Sequence, residues 1–478
     1  MSQAKIFLHN TLSGKREEFK SRVPGHVDIY SCGPTVYSYT HVGNARASIV
    51  SDLVARIFKK AGYSVKWASN ITDVDDKIIA AAQKEGSTTD QVAKTYETQY
   101  VNEMKALKVQ DPAVRPRATE HIPDMLSMIE TLIKKGMAYP ATTPFGNDVY
   151  FRVHDFKGYG KLSKRKLDDM LVGARIEPGE MKENPLDFAL WKAAKPGEPE
   201  WKSPWGAGRP GWHIECSAMV QKHFPNGLDI HMGGLDLIFP HHENEIAQSE
   251  AANEKTFAPY WIHNGLLTIG REKMSKSLGN IFLTKDFIER FGAETLRLLL
   301  LQHHYRSPID FSDESILRSE GLVIRLYHGR KILEQQKISI SYSQNALTKE
   351  MEEAFFDDFN TAKALGFLLK ALRQAFKTNE KADWETWASG LSLFQEIFAL
   401  CLETSEKALS EIEDRRINRM GKEKGFCKRI DDALKLREEL RAQKKFDEAD
   451  KIRQDLEAEG LLIMDGLDGT AWSVKIST

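Results

Sequence analysis

An α/β protein with a doubly wound parallel sheet, an insertion within it and a mostly helical C-terminal half is what this sequence predicts. Three observations carry the prediction. Residues 27–33, 44–61 and 65–68 alternate in strand, helix and strand patterns. A Pro-, Gly- and Trp-rich stretch, 185–210, separates them from further strand-like runs at 228–231 and 260–267. Beyond Asp286 the apolar spacing is helical to about residue 409.

Each element has a local reason. The run 27–33 is short and apolar and ends at Gly33, as a buried strand does. Ile49, Val50, Leu53, Val54, Ile57 and Phe58 recur at three- and four-residue intervals, so 44–61 reads as a helix with one buried face, stopped by Gly62. With the strand at 65–68 this makes a βαβ unit, whose right-handed crossover predicts parallel strands. In such sheets the ligand sits beyond the carboxyl ends of the strands, which places Cys32, Gly33 and the loop 34–43 at the site. The segment 89–139 is helical in pattern, with Gly136 closing a helix over 122–135. Lys195-Pro196-Gly197-Glu198-Pro199 marks 185–210 as an ordered loop or an insertion rejoining the sheet. Pro240 is expected to open a helix over 240–252, between the strands at 228–231 and 260–267. A charged helical stretch covers 430–459, and 461–472 closes the pattern.

At 478 residues the chain should hold two or more domains. Its formal net charge of -1 provides no global basic field, so a nucleic-acid surface has to be a local patch. Four widely spaced cysteines suit a reducing compartment and metal or substrate chemistry better than a disulfide framework. The N-terminal ten residues lack a long apolar core, and Leu298 to Leu301 is too short to span a bilayer, so a cytoplasmic protein with no membrane attachment is expected.

Four clusters carry chemistry. His241 and Glu245 are four residues apart and share a helix face, and with Cys32 and Cys216 they offer an imidazole, a carboxylate and two thiolates, a set that suits Zn(II). Thr40-His41-Val42-Gly43-Asn44 lies at a strand-to-helix turn, where the helix dipole favours an anion and Gly43 admits a phosphate. Lys273-Met274-Ser275-Lys276-Ser277-Leu278-Gly279-Asn280 is a cationic loop able to clamp a transferring phosphoryl group, or else a solvated basic loop. Asp229 to Leu237 runs into a Gly-rich turn where Asp236 can accept hydrogen bonds from a ribose. In the C-terminal region, Arg415, Arg416, Arg419, Lys422, Lys424, Lys428 and Arg429 form a patch able to follow a phosphate backbone, or a solvated linker.

His41-Val42-Gly43-Asn44 and 273–277 resemble the paired signatures of class I aminoacyl-tRNA synthetases. Tyr30-Ser31-Cys32-Gly33-Pro34-Thr35-Val36-Tyr37, Asn70-Ile71-Thr72-Asp73-Val74-Asp75-Asp76-Lys77, 185–219 and 239–248 resemble the cysteinyl-tRNA synthetase family in particular, and the likeness runs over nearly the whole chain. It implies a Rossmann-type catalytic domain in two halves, 1–120 and 206–265, split by a connective insertion, 121–205. A signature-lysine linker, 266–320, a helical bundle, 321–410, and a small anticodon-binding region, 411–478, follow.

The implied activity is that of a ligase of protein biosynthesis joining L-cysteine to tRNA(Cys) through cysteinyl adenylate. ATP enters with Mg(II), one Zn(II) per chain recognises the substrate thiol, and the chain acts as a monomer. By resemblance the zinc ligands are Cys32, Cys216, His241 and Glu245. His41, Asn44, Lys273 and Lys276 serve catalysis; Gly43, Asp236 and Lys276 bind ATP; Thr72 and Trp212 line the cysteine pocket, although a bare tryptophan is more often core packing; and Arg441, Asp450 and Asp465 face the anticodon, with Phe446 or Trp472 either stacking there or simply core. No segment is large enough for an editing domain.

Two positions depart from the pattern: Asn44 replaces the second signature histidine and cannot become cationic, and Met232 stands where glycine is frequent. A ligase acting on a small amino sugar, as in the mycothiol pathway, and a non-catalytic RNA-binding paralogue are the competing readings. The tail 415–472 weighs against the first and the intact ligand and lysine set against the second.

Overall fold

A computed structural model describes residues 3–167, 181–269, 272–273, 282–422, 425–466 and 469–474. The chain divides into two compact units. The first holds Met1–Thr40, Val50–Lys105 and Val109–Leu266; the second holds His41–Ile49, Ala106–Lys108 and Leu267–Thr478.

In the first unit an N-terminal hairpin, β1 (Phe7–Asn10) and β2 (Lys15–Glu18), precedes the central strand β3 (His26–Ser31). Helix α1 (Val42–Lys60), whose residues up to Ile49 count with the second unit, buries Ile49, Val50, Leu53, Val54, Ile57 and Phe58, the stripe that its spacing predicts. Gly62, at φ +90, takes the left-handed turn that leads into β4 (Ser64–Ser69). Strand β4 lies parallel to β3, with Ile29 opposite Trp67.

The main sheet runs β10-β9-β3-β4, where β9 is Ile230–Gly234 and β10 is Tyr260–Asn264, and all its pairings are parallel. The strand order therefore reverses between β3 and β9, the switch point at which doubly wound sheets open a crevice. Cys32 follows β3 at that point and donates its amide to the Met232 carbonyl at 3.1 Å.

Between the halves of this sheet lie α2 (Asp76–Glu85), α3 (Thr89–Ala106) and α4 (Ile122–Lys134), then an antiparallel sheet. Its strands are β5 (Ala138–Thr143), β6 (Gly146–Phe151), β7 (Phe188–Ala193) and β8 (Gly208–Pro210). Two strands thus occur where an ordered loop was one of the expectations, because Phe188, Leu190 and Trp191 bury into a core that includes Ile129, Leu132 and Val149. The helical pattern to Tyr139 also ends early: Gly136, at φ +76, turns the chain directly into β5.

Helix α5 (Trp212–His223) and α6 (Glu243–Asn253) flank the site. The expected helix over 240–252 begins only at Glu243. Ile238–His242 forms a wide turn in which Phe239 is extended, at φ -139 and ψ 131, before a cis Phe239–Pro240 bond.

In the second unit a small sheet joins β11 (Leu267–Ile269), β12 (Glu272–Lys273) and β13 (Ile309–Asp310). Helices follow: α7 (Thr284–Phe291), α8 (Ala293–Leu301), α9 (Asp313–Gln336), α10 (Ala346–Phe356), α11 (Thr361–Thr378), α12 (Lys381–Phe398) and α13 (Ser405–Met420). The charged run 430–459 belongs to two helices, α14 (Phe426–Ala442) and α15 (Phe446–Ala458), separated by a turn with Lys444 at φ +63. The hairpin β14 (Leu461–Gly466) and β15 (Gly469–Val474) completes their core through Leu461, Ile463 and Trp472.

Part of the predicted basic patch is structural. Arg416 is buried and the Arg419 side chain is 7% exposed; both bind Glu320, at 2.8 and 2.7 Å, and Arg416 also donates to the Trp472 carbonyl. A buried carboxylate on α9 needs cations, and these two arginines, three residues apart on one helix face, supply them. Arg429 is exposed and paired with Glu459.

Candidate active site and metal centre

Four donors converge beyond the switch point of the main sheet. Cys32 follows β3, Cys216 lies in the second turn of α5, His241 lies in the wide turn just before its last residue, and Glu245 lies in the first turn of α6. One ligand atom from each lies within 4.8 Å of all the others. The two sulfurs are 3.8 Å apart, His241 Nε2 is 3.0 Å from Glu245 Oε1, and that oxygen is 3.5 Å from Cys32 Sγ. Tetrahedral zinc with Zn–S bonds of about 2.3 Å places two thiolates about 3.8 Å apart, so the donor set fits that ion in type and spacing. Late entry into helix α6 does not spoil the pairing, because the turn still projects His241 over Glu245.

Imidazoles surround the donors. His213 Nδ1 meets His241 Nδ1 at 3.0 Å, which turns His241 Nε2 toward Glu245. His231 Nε2 holds Glu245 Oε2 at 2.8 Å, so the two carboxylate oxygens have separate partners. His242 Nε2 approaches Cys32 Sγ at 3.3 Å, and its Nδ1 pairs with His263 at 2.8 Å. Cys32, His231, His242 and Glu245 consequently form a second, overlapping donor group. The metal motif does not reveal the parts played by His213 and His263; the crowding of histidines between 213 and 263 is the signal that was available.

Electrostatics follow from burial and from these neighbours. Burial works against an ionised Glu245, yet His231 and His241 hold its carboxyl well below the usual range. Burial likewise opposes a charged His241, and Glu245 outweighs it, raising the imidazole to about 10. The Cys32 contact lowers the Cys216 thiol to about 6, while burial pushes Cys32 well up. Burial keeps His213, His242 and His263 neutral, the last at about 3. A metal cation takes a neutral imidazole and thiolates, so binding one here would displace the proton that Glu245 favours on His241 and the proton that burial keeps on Cys32.

Trp212 stacks on His241, with centroids 4.2 Å apart, and stays 37% exposed, so it forms an open wall rather than core. Thr72 is buried and donates to Glu215 Oε2 at 2.9 Å. Asn70 accepts the Gly33 amide at 2.8 Å, and a Cβ on Gly33 would lie 1.7 Å from the Asn70 carbonyl oxygen, a close approach that only glycine allows. Beyond β9, Asp236 is exposed in the turn Leu235–Leu237, while Met232 is buried within the strand.

In the second unit, the amide of Asn44 donates to His41 Nδ1 at 3.3 Å. Because that amide can only donate, the proton of a neutral His41 ring lies on Nε2. A Cβ on Gly43 would meet the His41 ring at 2.9 Å, so this ring packs closely over the glycine. Val42 donates to the Phe282 carbonyl and His41 bridges Leu283, which joins the helix start to the residues just after the lysine signature. Lys273 is part of β12, paired through its backbone with Thr268; its side chain and all of Lys276 lie outside the described residues.

Residues 18–321 match the family model described as tRNA synthetases class I (C) catalytic domain. Over 490 aligned residues the chain is 46% identical to the cysteine–tRNA ligase of Geobacter metallireducens, covering 98% of this chain and 99% of that protein. The chain belongs to the cysteine–tRNA ligase family. It is 45% identical to the cysteine–tRNA ligase of Nitratidesulfovibrio vulgaris, over 98% of the chain and 99% of that relative. Among solved structures it shares its fold with a Mycobacterium tuberculosis methionyl-tRNA synthetase in complex with methionyl-adenylate, at TM-score 0.57 and 15% identity, covering 84% of this chain and 94% of that one.

The C-terminal region holds the residues expected to face an anticodon. There Asp465 is held by Arg437 at 2.7 and 2.8 Å, by Arg441 at 3.1 Å and by Arg453 at 3.3 Å. Asp450 is exposed on α15, and Phe446 is 56% exposed. Trp472 is core: it is buried and donates to Asp431 at 2.6 Å. No helix among the described residues is long and apolar enough to cross a membrane.

Proposed function

We propose that this ligase joins L-cysteine to tRNA(Cys) through cysteinyl adenylate and selects cysteine with one zinc ion held by Cys32, Cys216, His241 and Glu245. The observation that carries the reading is the convergence of those four donors beside the open face of Trp212. Zinc bound there supplies a soft Lewis acid that favours a thiolate and takes a hydroxyl poorly. That difference separates cysteine from serine, which shape alone rejects weakly. His213 and His231 hold His241 and Glu245 in place, and Glu245, with one oxygen committed to His231, is the weakest and most displaceable of the four. Trp212 and Thr72 bound the substrate's body.

In the first step the cysteine carboxylate oxygen bonds to the α-phosphorus of ATP and the bond to the pyrophosphate oxygen breaks. His41, donating through Nε2, Asn44, Lys273 and Lys276 stabilise charge gathering on the phosphate oxygens. Gly43 admits the phosphates, Asp236 accepts from the ribose, and Mg(II) accompanies the nucleotide. In the second step a terminal ribose hydroxyl of tRNA(Cys) attacks the acyl carbon and AMP leaves. Arg441, Asp450 and Asp465 face the unstacked anticodon bases, and the ligase works as a monomer in the cytoplasm.

The test is pyrophosphate exchange with cysteine against serine, with and without a zinc chelator. Exchange should require cysteine and collapse on chelation. Activity indifferent to the chelator overturns the zinc reading, and failure to charge tRNA(Cys) overturns the acceptor.

A further inference from the structure

A cavity of about 440 Å³ lies within the first unit, lined in part by Ser217 of α5 and Ser249 of α6, each on a helix that also carries a candidate metal donor. This is the size range of small-molecule sites. Its floor combines Val220, Leu228 and Phe257 with the hydroxyls of Ser217 and Ser249. Ser249 is 2% exposed and its Oγ has no hydrogen-bond partner among the described residues. A serine inside a helix ordinarily turns its hydroxyl back to the carbonyl four residues earlier. Here that carbonyl, of Glu245, receives Ser217 Oγ at 3.3 Å instead.

The rim is cationic. Arg22 donates to the main-chain carbonyls of Leu228 and Asn226, at 3.3 and 2.5 Å, and these carry no countercharge. Lys255 is exposed beside it. The nearby Asp229 carboxylate is occupied by the amides of Arg22 and Asp28.

We propose that this cavity is a second small-molecule site, taking a small carboxylate with an apolar body, and that its occupancy is felt at Glu245 through Ser217. The apolar floor takes the body, Ser249 supplies the buried hydrogen bond, and Arg22 and Lys255 attract the carboxylate. Ser217 lines the cavity, bonds the Glu245 carbonyl and accepts from Gln248 at 3.0 Å, so a ligand there bears on the turn that carries a metal donor. Binding itself is independent of the proposed function; the coupling to cysteine rests on it.

Benzoate is the probe and benzamide its neutral counterpart, titrated into the full chain by calorimetry. For a ligand of this size, saturable one-to-one binding near about 1 mM is expected. Benzamide should bind about threefold more weakly, and Lys255→Glu should weaken benzoate several-fold while sparing benzamide. Ser249→Leu, which fills the cavity, should abolish both; Lys255→Glu, a surface change, keeps the test open if that variant does not fold. Absence of saturable binding up to about 50 mM, or equal affinity in wild type and Lys255→Glu, overturns the site. With benzoate bound, the KM for cysteine in pyrophosphate exchange should shift about twofold or more in wild type. An unchanged KM overturns the coupling. If wild type shows no cysteine-dependent exchange, the proposed function falls, while the benzoate titration still decides the site.

Discussion

Asn44 is exposed at the start of α1, its amide bonded to His41, and its side chain can donate a hydrogen bond but cannot carry charge. If donation is what the phosphate requires, Asn44→His retains most of the pyrophosphate exchange rate whereas Asn44→Ala loses about 10²-fold or more. Equal losses for the two variants remove this role. At the candidate metal centre, Cys216→Ser replaces a thiol donor by a hydroxyl, a poor zinc ligand. The variant should bind far less zinc by atomic absorption, and its preference for cysteine over serine should fall with the metal content. Retention of a full equivalent of zinc and of that preference counts against Cys216 as a donor. The donors themselves were legible in the sequence, from the spacing of His241 and Glu245 and the scarcity of cysteine. The second layer of imidazoles was not, since a histidine's partner is set by the packing of distant strands.

At the scale of elements, the helix over 44–61 followed its spacing, whereas the one expected over 240–252 begins at Glu243 and the runs 89–139 and 430–459 are broken by turns at Gly136 and Lys444. Arg416 and Arg419 read as surface cations in a basic run, yet Glu320 draws both into a buried cluster on α9 and α13. Glu320→Ala leaves two buried guanidinium groups uncompensated, which should cost about 3–5 kcal/mol. Hydrogen exchange in the terminal hairpin, tied to Arg416 through Trp472, should rise accordingly, and unchanged protection rules the cluster out as a support. The same carboxylate sets a pH response. Burial opposes its ionisation, but the two arginines hold it below its ordinary value of 4.5. The stability it contributes is therefore full above pH 4.5 and declines as the pH falls below that value. Amide protection of β14 and β15 followed from pH 6 down to about 3 should fall in that window, and Glu320→Gln should flatten the fall.

Across the whole molecule the proposed activities separate. In the function proposed above, amino-acid activation is assigned to the four candidate donors and the two signatures, and base reading to α14, α15 and the terminal hairpin. Arg441→Ala should lower kcat/KM for tRNA by about tenfold or more while leaving pyrophosphate exchange unchanged; a parallel loss in both assays would assign Arg441 a structural role. By itself the sequence determined the parallel sheet, the interrupting insertion, the helical C-terminal half and the four candidate donors, because local periodicity and residue chemistry act over short spans. Only the tertiary structure decided which histidines surround Glu245, that Trp472 is core while Trp212 is open, and that Arg416 and Arg419 turn inward. Those outcomes depend on the burial of groups tens to hundreds of residues apart, where an unpaired charge or an unmet hydrogen bond costs more than any local preference can offset.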